Sequence, residues 1–455
     1  MKHKSARQIA IEILNRVEER GAFAEPLLDA FLSRRHLTNI HDRKLLTEIV
    51  YGTLRMKSHL DWIICHLYRG DFAHMETGLK NILRTAMYQI RFTDRIPDFA
   101  IVDEAVEISK KDYPAGSGLV NAILRNALRK KNAITFPDAG RDPVGHISAY
   151  YSHPRWLVER WIDTRGIDET IALCSANNRV PSYVLRVNRL KVAREEITNQ
   201  LVHQGFHVKD TVYSQDGLII SHPAVSLRET PYYSSGFFQV QDEASQLISC
   251  IVDPKPGEAI LDICAGTGGK TLHLSEIMEN RGQVVALEIN KNKVKALQEN
   301  AAKHGINIVE TKVGDATEDM GKEFHEAFDR VLLDAPCSGL GTLRRNPEIK
   351  WRIREESPRE FAVLQKKLLY RAVTYVKNGG VIIYSTCTVT HEENEEIIDD
   401  FLIRHRHFSR TLPPHTIHPS VIDNRGCFRS YPHHHDMDGF FGAVLVKKSD
   451  EGEMK

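Results

Sequence analysis

Hydrophobic positions along the 455 residues fall into distinct regimes. Up to residue 134 they recur at intervals of three and four. Ala6, Ile9, Ala10, Ile13, Leu14 and Val17 form one stripe, closed by Gly21. Leu45, Leu46, Ile49, Val50 and Leu54 form a second, Leu79, Ile82, Leu83, Met87 and Ile90 a third, and Leu119, Val120, Ile123 and Leu128 a fourth, ahead of the basic run Arg129-Lys130-Lys131. That spacing matches the 3.6-residue turn of helices with one buried face. With no strand-like alternation between them, residues 1–134 are predicted to be an all-α bundle with a shared core. Pro137, Gly140, Pro143 and Pro154 then break the period, so 135–155 reads as a linker. Residues 156–236 mix helical stretches near 157–162 and 194–204 with strand-like 183–187 and 217–220, a small α+β unit. From 237 to 448, strand-like runs at 259–263, 284–289, 308–313, 330–334 and 381–385 alternate with helical stretches such as 291–304 and 359–376. This is the grammar of a mostly parallel sheet wrapped by helices, and the alternation near 440–446 adds an antiparallel edge strand.

Composition narrows the picture. A hydrophobic content of 42% and a charged content of 27% are ordinary for a globular protein. Mean hydropathy is -0.35, and no run approaches the roughly 18 apolar residues of a membrane span. The opening MKHKSARQIAIEIL is basic but breaks into a helical period, unlike a signal peptide. The seven cysteines show no framework spacing and no CxxC pair, which points to neither disulfides nor structural zinc. A soluble, cytoplasmic protein is expected. Residues 1–134 carry 22 Lys and Arg against 16 Asp and Glu, a net +6 on a chain whose total is +1. That excess suggests a polyanionic partner for the helical part.

In an open α/β sheet, ligands bind beyond the carboxyl ends of the strands. The first predicted strand runs into Cys264-Ala265-Gly266-Thr267-Gly268-Gly269-Lys270-Thr271, the second ends at Glu288 and the third at Asp315. A Walker loop would need glycine where Cys264 stands, and a dinucleotide fingerprint a third glycine where Thr271 stands. What remains is a glycine turn that brings backbone N–H groups close to a ligand, with a carboxylate 22 residues beyond Gly266 to accept from a ribose diol. Asp315 is placed to accept from an adenine amino group. Together they describe a nucleoside without pyrophosphate, which fits S-adenosylmethionine.

The fourth strand ends in Asp334-Ala335-Pro336-Cys337-Ser338-Gly339 and the fifth in Thr386-Cys387-Thr388, so an acid and two thiols meet on one rim. Methylation of a pyrimidine at carbon 5 supplies a reason for this set. That carbon is a poor nucleophile until a thiolate adds at C6. An acid near N3 stabilises the charge created, and the C5 proton must then be removed so that the thiolate can leave.

These three motifs, the first beginning at Asp262-Ile263-Cys264, resemble those of the ribosomal RNA small subunit methyltransferase B (Sun) family of RNA cytosine-C5 methyltransferases. The resemblance covers nearly the whole chain, and residues 1–134 are similar to the NusB transcription-antitermination domain, an RNA-binding helical bundle. It implies a NusB-like all-α domain at 1–134, a linker at 135–155, a small α+β domain at 156–236 and a Rossmann-like methyltransferase domain at 237–448. It also implies transfer of methyl from S-adenosylmethionine to C5 of a cytosine in small-subunit (16S) ribosomal RNA, at the cytosine-967 site, through a Cys387 adduct at C6. By the same resemblance Cys387 is the nucleophile and Cys337 the product-release thiol. DNA cytosine methyltransferases use the Pro-Cys thiol as nucleophile, so the second Cys after Thr386 is what argues for RNA. Cys264, Ala265, Gly266, Thr267, Gly268, Gly269, Lys270, Glu288, Asp315 and Asp334 would line the donor site, with Asp334 also facing the cytosine. The chain departs from the family at Gly266-Thr267, where Ala-Pro is usual, and at Glu288, where Asp is commoner.

The cations and tryptophan of 343–354 follow directly on the active turn, so Arg344, Arg345, Lys350, Trp351 and Arg352 are expected to touch RNA phosphates and bases. A cytosine in structured RNA must leave its stack to reach a buried thiol, so base flipping is expected. No metal is expected, because the adjacent residues of His433-His434-His435-Asp436 cannot all face one ion. Thr390-His391-Glu392-Glu393 reads as a capping box that opens a helix at 394–401 and needs no catalytic role. A monomer is expected. The competing readings are a non-catalytic RNA-binding or antitermination protein with a dead methyltransferase fold, against which the intact Asp334, Cys337 and Cys387 argue, and a nicotinamide enzyme, which the failed fingerprint disfavours.

Overall fold

The computed structural model describes residues 4–33, 39–94, 96–131, 133–221 and 227–449. The chain divides into two compact units, Met1–Val180 with Leu343–Glu355, and Pro181–Thr342 with Glu356–Lys455. Among the described residues, no helix is long and apolar enough to cross a membrane.

The first unit is helical, as the three-four stripes predict: Ala6–Arg20, Ala24–Ser33, Ile40–Arg55, Lys57–Leu67, Thr77–Phe92, Asp98–Asp112 and Ser117–Arg129. The Ser5 hydroxyl and the Gln8 side chain cap each other's backbone N–H at the first helix, and Gly21 ends it at φ 61, a left-handed conformation that suits glycine. Ile9, Ile13 and Leu14 pack with Leu46, Ile49 and Val50. A second cluster joins Leu60, Ile63, Ile82, Leu83, Met87, Ile101, Val120 and Ile123. Each such side chain contributes about 1.5–3 kcal/mol on burial. Arg84 falls on the same buried face as Leu83 and Met87. Its guanidinium meets Asp61 at 2.6 and 2.8 Å and Glu18 at 2.7 Å, the pairing a buried charge requires.

The linker expected over 135–155 is corrected by the structure, because that stretch contains the helix Pro143–Tyr150. Asp142 accepts from Gly145 N at 2.8 Å and Pro143 occupies the first turn, so this proline starts a helix and does not break one. Arg155–Arg165 and Ile167–Asn177 follow within the same unit. The helical opening of the expected α+β domain therefore groups with the bundle.

The second unit holds two sheets. The smaller contains β1 (Tyr183–Val187), β2 (His207–Asp210), β3 (Gly217–Ser221) and β4 (Phe238–Val240), in the antiparallel order β2-β3-β1-β4. The segment from 237 that was expected to introduce the catalytic domain supplies β4, with Phe238 opposite Val187. The larger sheet contains β5 (Ala259–Ile263), β6 (Gln283–Glu288), β7 (Val309–Val313), β8 (Phe328–Asp334), β9 (Val376–Thr386), β10 (Phe408–Thr411) and β12 (Phe441–Lys447), in the order β10-β12-β9-β8-β5-β6-β7, with β11 (Phe428–Arg429) paired to β12. Strands β5 to β9 run parallel, and β12 lies antiparallel between β9 and β10. Alternate residues serve opposite faces: Leu261, Val331, Leu333, Ile382 and Tyr384 enter one core, and Ile260, Leu332 and Ile383 the other. Both faces are covered, hence the continuous apolar runs. Strand order reverses at β5, between β6 and β8, and such a switch point opens a crevice at the carboxyl ends of the strands.

Candidate active site

At the carboxyl end of β5 the chain turns sharply. Cys264 takes φ 67, Gly266 φ 60 and Gly268 φ 91, and Gly268 begins the helix Gly269–Ile277. A side chain at Gly268 would meet Leu297 Cγ at 2.8 Å, so the turn lies too close to the neighbouring helix for anything larger than glycine. On its other side the turn is tied to the end of β6. Glu288 accepts from Gly266 N at 3.0 Å and from Asn290 N at 2.9 Å. A carboxylate has about four acceptor positions, so Glu288 retains capacity for a ligand. Burial pushes the Cys264 thiol up to about 12 and keeps it protonated. Asp315, just past the end of β7, is exposed, and its carboxylate turns to Thr317 N and Oγ1, both at 2.8 Å.

The structure adds two residues that the motif reading left without a role. Asp262, at the end of β5, is buried. Its Oδ2 accepts from Thr271 Oγ1 at 2.6 Å, while its Oδ1 is a buried acceptor without a partner. Burial pushes its carboxyl up to about 7, with nearby Asp334 adding to the rise against the Thr271 hydrogen bond. Arg186 of β1 is fully buried. It pairs with Glu276 at 2.9 and 3.2 Å, bonds Gln241, and donates to the carbonyl of Gly269 at 2.7 Å, so the small sheet holds the glycine turn from beneath. Nothing in the local sequence of β1 marks that role.

Beyond β8 and β9, four groups converge. Lys270 Nζ donates to Asp334 Oδ2 at 2.6 Å, and Ser385 Oγ to Asp334 Oδ1 at 2.8 Å. Burial works against the charge on Lys270, but Asp334 opposite it, with a smaller contribution from Cys387, holds its proton above the usual lysine range. Cys337 Sγ lies 3.2 Å from Cys387 Sγ. Contact with Cys387, then burial, holds the Cys337 thiol well above the ordinary range. The structure thus assembles Lys270, Asp334, Cys337 and Cys387 from three separate strand ends. The loop after Cys337 returns against the one after Cys387: Gly341 N donates to the Cys387 carbonyl at 3.0 Å, and a side chain at Gly341 would strike the Gly439 carbonyl at 1.8 Å.

The supposed capping box at 390–393 is a correction. The helix is Glu395–Arg404, with Asn394 at its N-cap making no side-chain cap. Thr390 Oγ1 donates instead to Glu393 at 2.7 Å, and Glu393 is buried among the turns that bear the thiols. The local signature was right in spacing, but Ser338 and Gln365, distant in the chain, claim the Glu393 carboxylate.

The expected RNA-contact loop is also corrected in part. Residues 343–355 belong to the helical unit. Arg344 is buried there, and its carbonyl accepts from Arg55 Nη2 at 3.0 Å. Lys350 is fully buried, and its amine donates to Arg55 O, Ser152 O and Asn178 Oδ1 at 2.8–3.0 Å. Trp351 Nε1 donates to Leu54 O at 2.7 Å, and Glu348 accepts from Ala24 N at 2.9 Å. Arg344 and Lys350 are therefore packing residues, whereas Trp351 is half-buried with its indole N–H taken by a bundle carbonyl. Arg345 is half-buried, and Arg352 is exposed, stacked over Phe23 at 4.1 Å.

Comparison with known proteins gives concordant matches along the chain. Residues 249–446 match the family described as 16S rRNA methyltransferase RsmB/F, residues 4–129 the NusB family, and residues 153–227 the RsmF/B-like ferredoxin-like domain. A probable ribosomal RNA small subunit methyltransferase B of Bacillus subtilis is 35% identical over 98% of this chain and 100% of its own. A ribosomal RNA small subunit methyltransferase B of Serratia proteamaculans is 32% identical over 97% and 98%. Among solved structures, that of PH0851 is 30% identical, with a TM-score of 0.83 over 97% of this chain and 98% of that one.

Proposed function

Because the chain belongs to the ribosomal RNA small subunit methyltransferase B family, we propose that it transfers methyl from S-adenosylmethionine to C5 of a cytosine in small-subunit ribosomal RNA through a covalent Cys387 adduct. The carrying observation is the thiol pair, 3.2 Å apart, beside a carboxylate already locked by Lys270 and Ser385.

The donor site fits this reading. Glu288 keeps acceptor capacity, Gly266 leaves open space where a side chain would stand, and the orphaned Asp262 Oδ1 awaits a hydrogen-bond donor. The turn from Cys264 to Lys270, with Glu288 and Asp315, would hold S-adenosylmethionine, which supplies an electrophilic methyl group when bound.

The rest of the chemistry belongs to the chain. By the family resemblance the nucleophilic role falls to Cys387, whose sulfur bonds to C6. This addition places negative charge on the ring, and the Lys270–Asp334 pair facing it carries the positive charge and the proton that offset it. To serve in release, Cys337 must first give up its own proton. Cys337 can then accept the C5 proton. The C5–H electron pair restores the C5–C6 double bond, and the C6–S pair returns to Cys387. Of the residues expected to touch RNA, exposed Arg352 and half-buried Arg345 are proposed to contact phosphate.

The test is transfer of labelled methyl to protein-free small-subunit ribosomal RNA with base-resolution mapping. The expected product is a single 5-methylcytosine, at the cytosine-967 site. Methyl on another atom or base would overturn the reading.

A further inference from the structure

The carboxylate of Glu393 has no part in the reaction above, yet donors crowd around it. It is fully buried. It accepts from Ser338 N at 2.8 Å, Ser338 Oγ at 2.5 Å, Thr390 Oγ1 at 2.7 Å and Gln365 Nε2 at 3.1 Å. Gln365 also donates to the Pro336 carbonyl at 2.9 Å. The turn is therefore gripped on both sides of Cys337, directly at the residue after it and through Gln365 at the residue before it. Glu393 is itself anchored to the Cys387 side. Its backbone carbonyl accepts from Tyr384 OH of β9 at 2.6 Å, and Ser338 Oγ also meets Thr388 Oγ1 at 2.8 Å. Burying a carboxylate is costly, and a seam that only joined two loops would need no charge.

The two sulfurs are held differently. Cys387 directly follows β9, whose ladder runs to its end, with Ser385 opposite Asp334 and Thr386 opposite Phe441. Cys337 stands on a turn after β8, between Pro336 and a Gly339 at φ 72, and depends on side chains for its place. Loosening Glu393 would move Cys337 and leave Cys387 where it is.

We propose that Glu393 is the positioning residue that holds Cys337 against Cys387, and that it governs release of the methylated base, not formation of the adduct. The inference rests on the function proposed above. In release, the proton on C5 passes to the Cys337 sulfur while the C6–S bond breaks and its electron pair returns to Cys387. A displacement of about 1 Å in the accepting sulfur slows such a step by up to about 10²-fold.

The experiment follows covalent protein–RNA adduct on denaturing gels, together with single-turnover methyl transfer, for the full chain and its Cys337→Ala, Glu393→Ala, Glu393→Gln and Ser338→Ala variants. Glu393→Ala is expected to accumulate adduct as Cys337→Ala does, with methyl transfer near the parent rate. Glu393→Gln keeps an acceptor for Ser338 N and restores most of the release. Ser338→Ala, which removes one donor, accumulates adduct to a smaller extent and serves where Glu393→Ala does not fold. If Cys337→Ala traps adduct while the Glu393 and Ser338 variants trap none, or slow methyl transfer as much as release, the positioning role is wrong and the function stands. If Cys337→Ala traps none, the release role assigned to that thiol fails and the inference falls with it.

Discussion

Two lysines drawn off the surface, one in each unit, show how different partners make the same side chain do opposite things. Lys350, in the helical unit, is surrounded by the neutral oxygens of Arg55, Ser152 and Asn178. Burial, and to a lesser degree Arg55, holds its pKa well below the usual lysine value. Lys270, at the end of the glycine turn, keeps a little solvent contact, and Asp334 faces it at 2.6 Å, so its proton is held more tightly than usual. The first amine ties backbone segments together. The second places a fixed positive charge beside two sulfurs. Sequence charge alone does not separate the two, and both stand in motifs rich in polar residues.

The comparison can be broken at several points. Lys270→Met leaves Asp334 without its ion pair and removes the positive charge of the site. Methyl transfer is expected to fall by about 10²- to 10³-fold in single-turnover assays. Lys350→Met strips three buried acceptors of their donor but also removes a buried amine. A net loss of about 2 kcal/mol in denaturant unfolding is expected, with donor affinity of the full chain unchanged. Equal effects of the two substitutions on donor binding would erase the distinction between them.

pH sharpens the contrast further, because the two units carry groups displaced in opposite senses. The folded-state pKa of Lys350 is depressed, so between that value and the ordinary lysine range the unfolded chain binds the extra proton. Its contribution to stability therefore rises with pH across that window. Asp262 is raised to about 7, so the folded chain binds the extra proton between the ordinary carboxyl range and that value. Its contribution is fully present below that range and is lost as pH climbs to about 7, at up to about 1.4 kcal/mol per pH unit. Unfolding measured from about pH 5 to 11 should show Asp262→Asn flattening the decline that ends at about 7 and Lys350→Met removing the rise that ends at the ordinary lysine range. The smallest effect belongs to Asp315→Ala. This exposed carboxylate is already engaged with Thr317, and its loss should weaken donor binding by about tenfold or less in calorimetry.

What the sequence revealed follows how local each signal is. The glycine turn, Glu288, Asp334 and both thiols sit at strand ends, where period and punctuation alone place them on one rim. The parallel sheet, its helices and the helical bundle were legible for the same reason. Pro143 was misread because a proline at a helix start and one in a linker look alike until Asp142 is seen to cap Gly145 N. Glu393 and Lys350 were misjudged because their partners lie far off in the chain: Ser338 is 55 residues from Glu393, and Arg55 is 295 from Lys350. Arg186 is hidden in the same way, since the carbonyl it holds belongs to Gly269.

In the proposed mechanism two sulfurs 3.2 Å apart divide the labour between adduct formation and release. The most direct measurement compares covalent RNA adduct in Cys337→Ala with that in the double variant Cys337→Ala/Cys387→Ala, under identical turnover conditions. A stable adduct is expected in the first and none in the second, with Cys387→Ala alone unable to transfer methyl. Adduct that persists without Cys387, or normal turnover in Cys387→Ala, would contradict it.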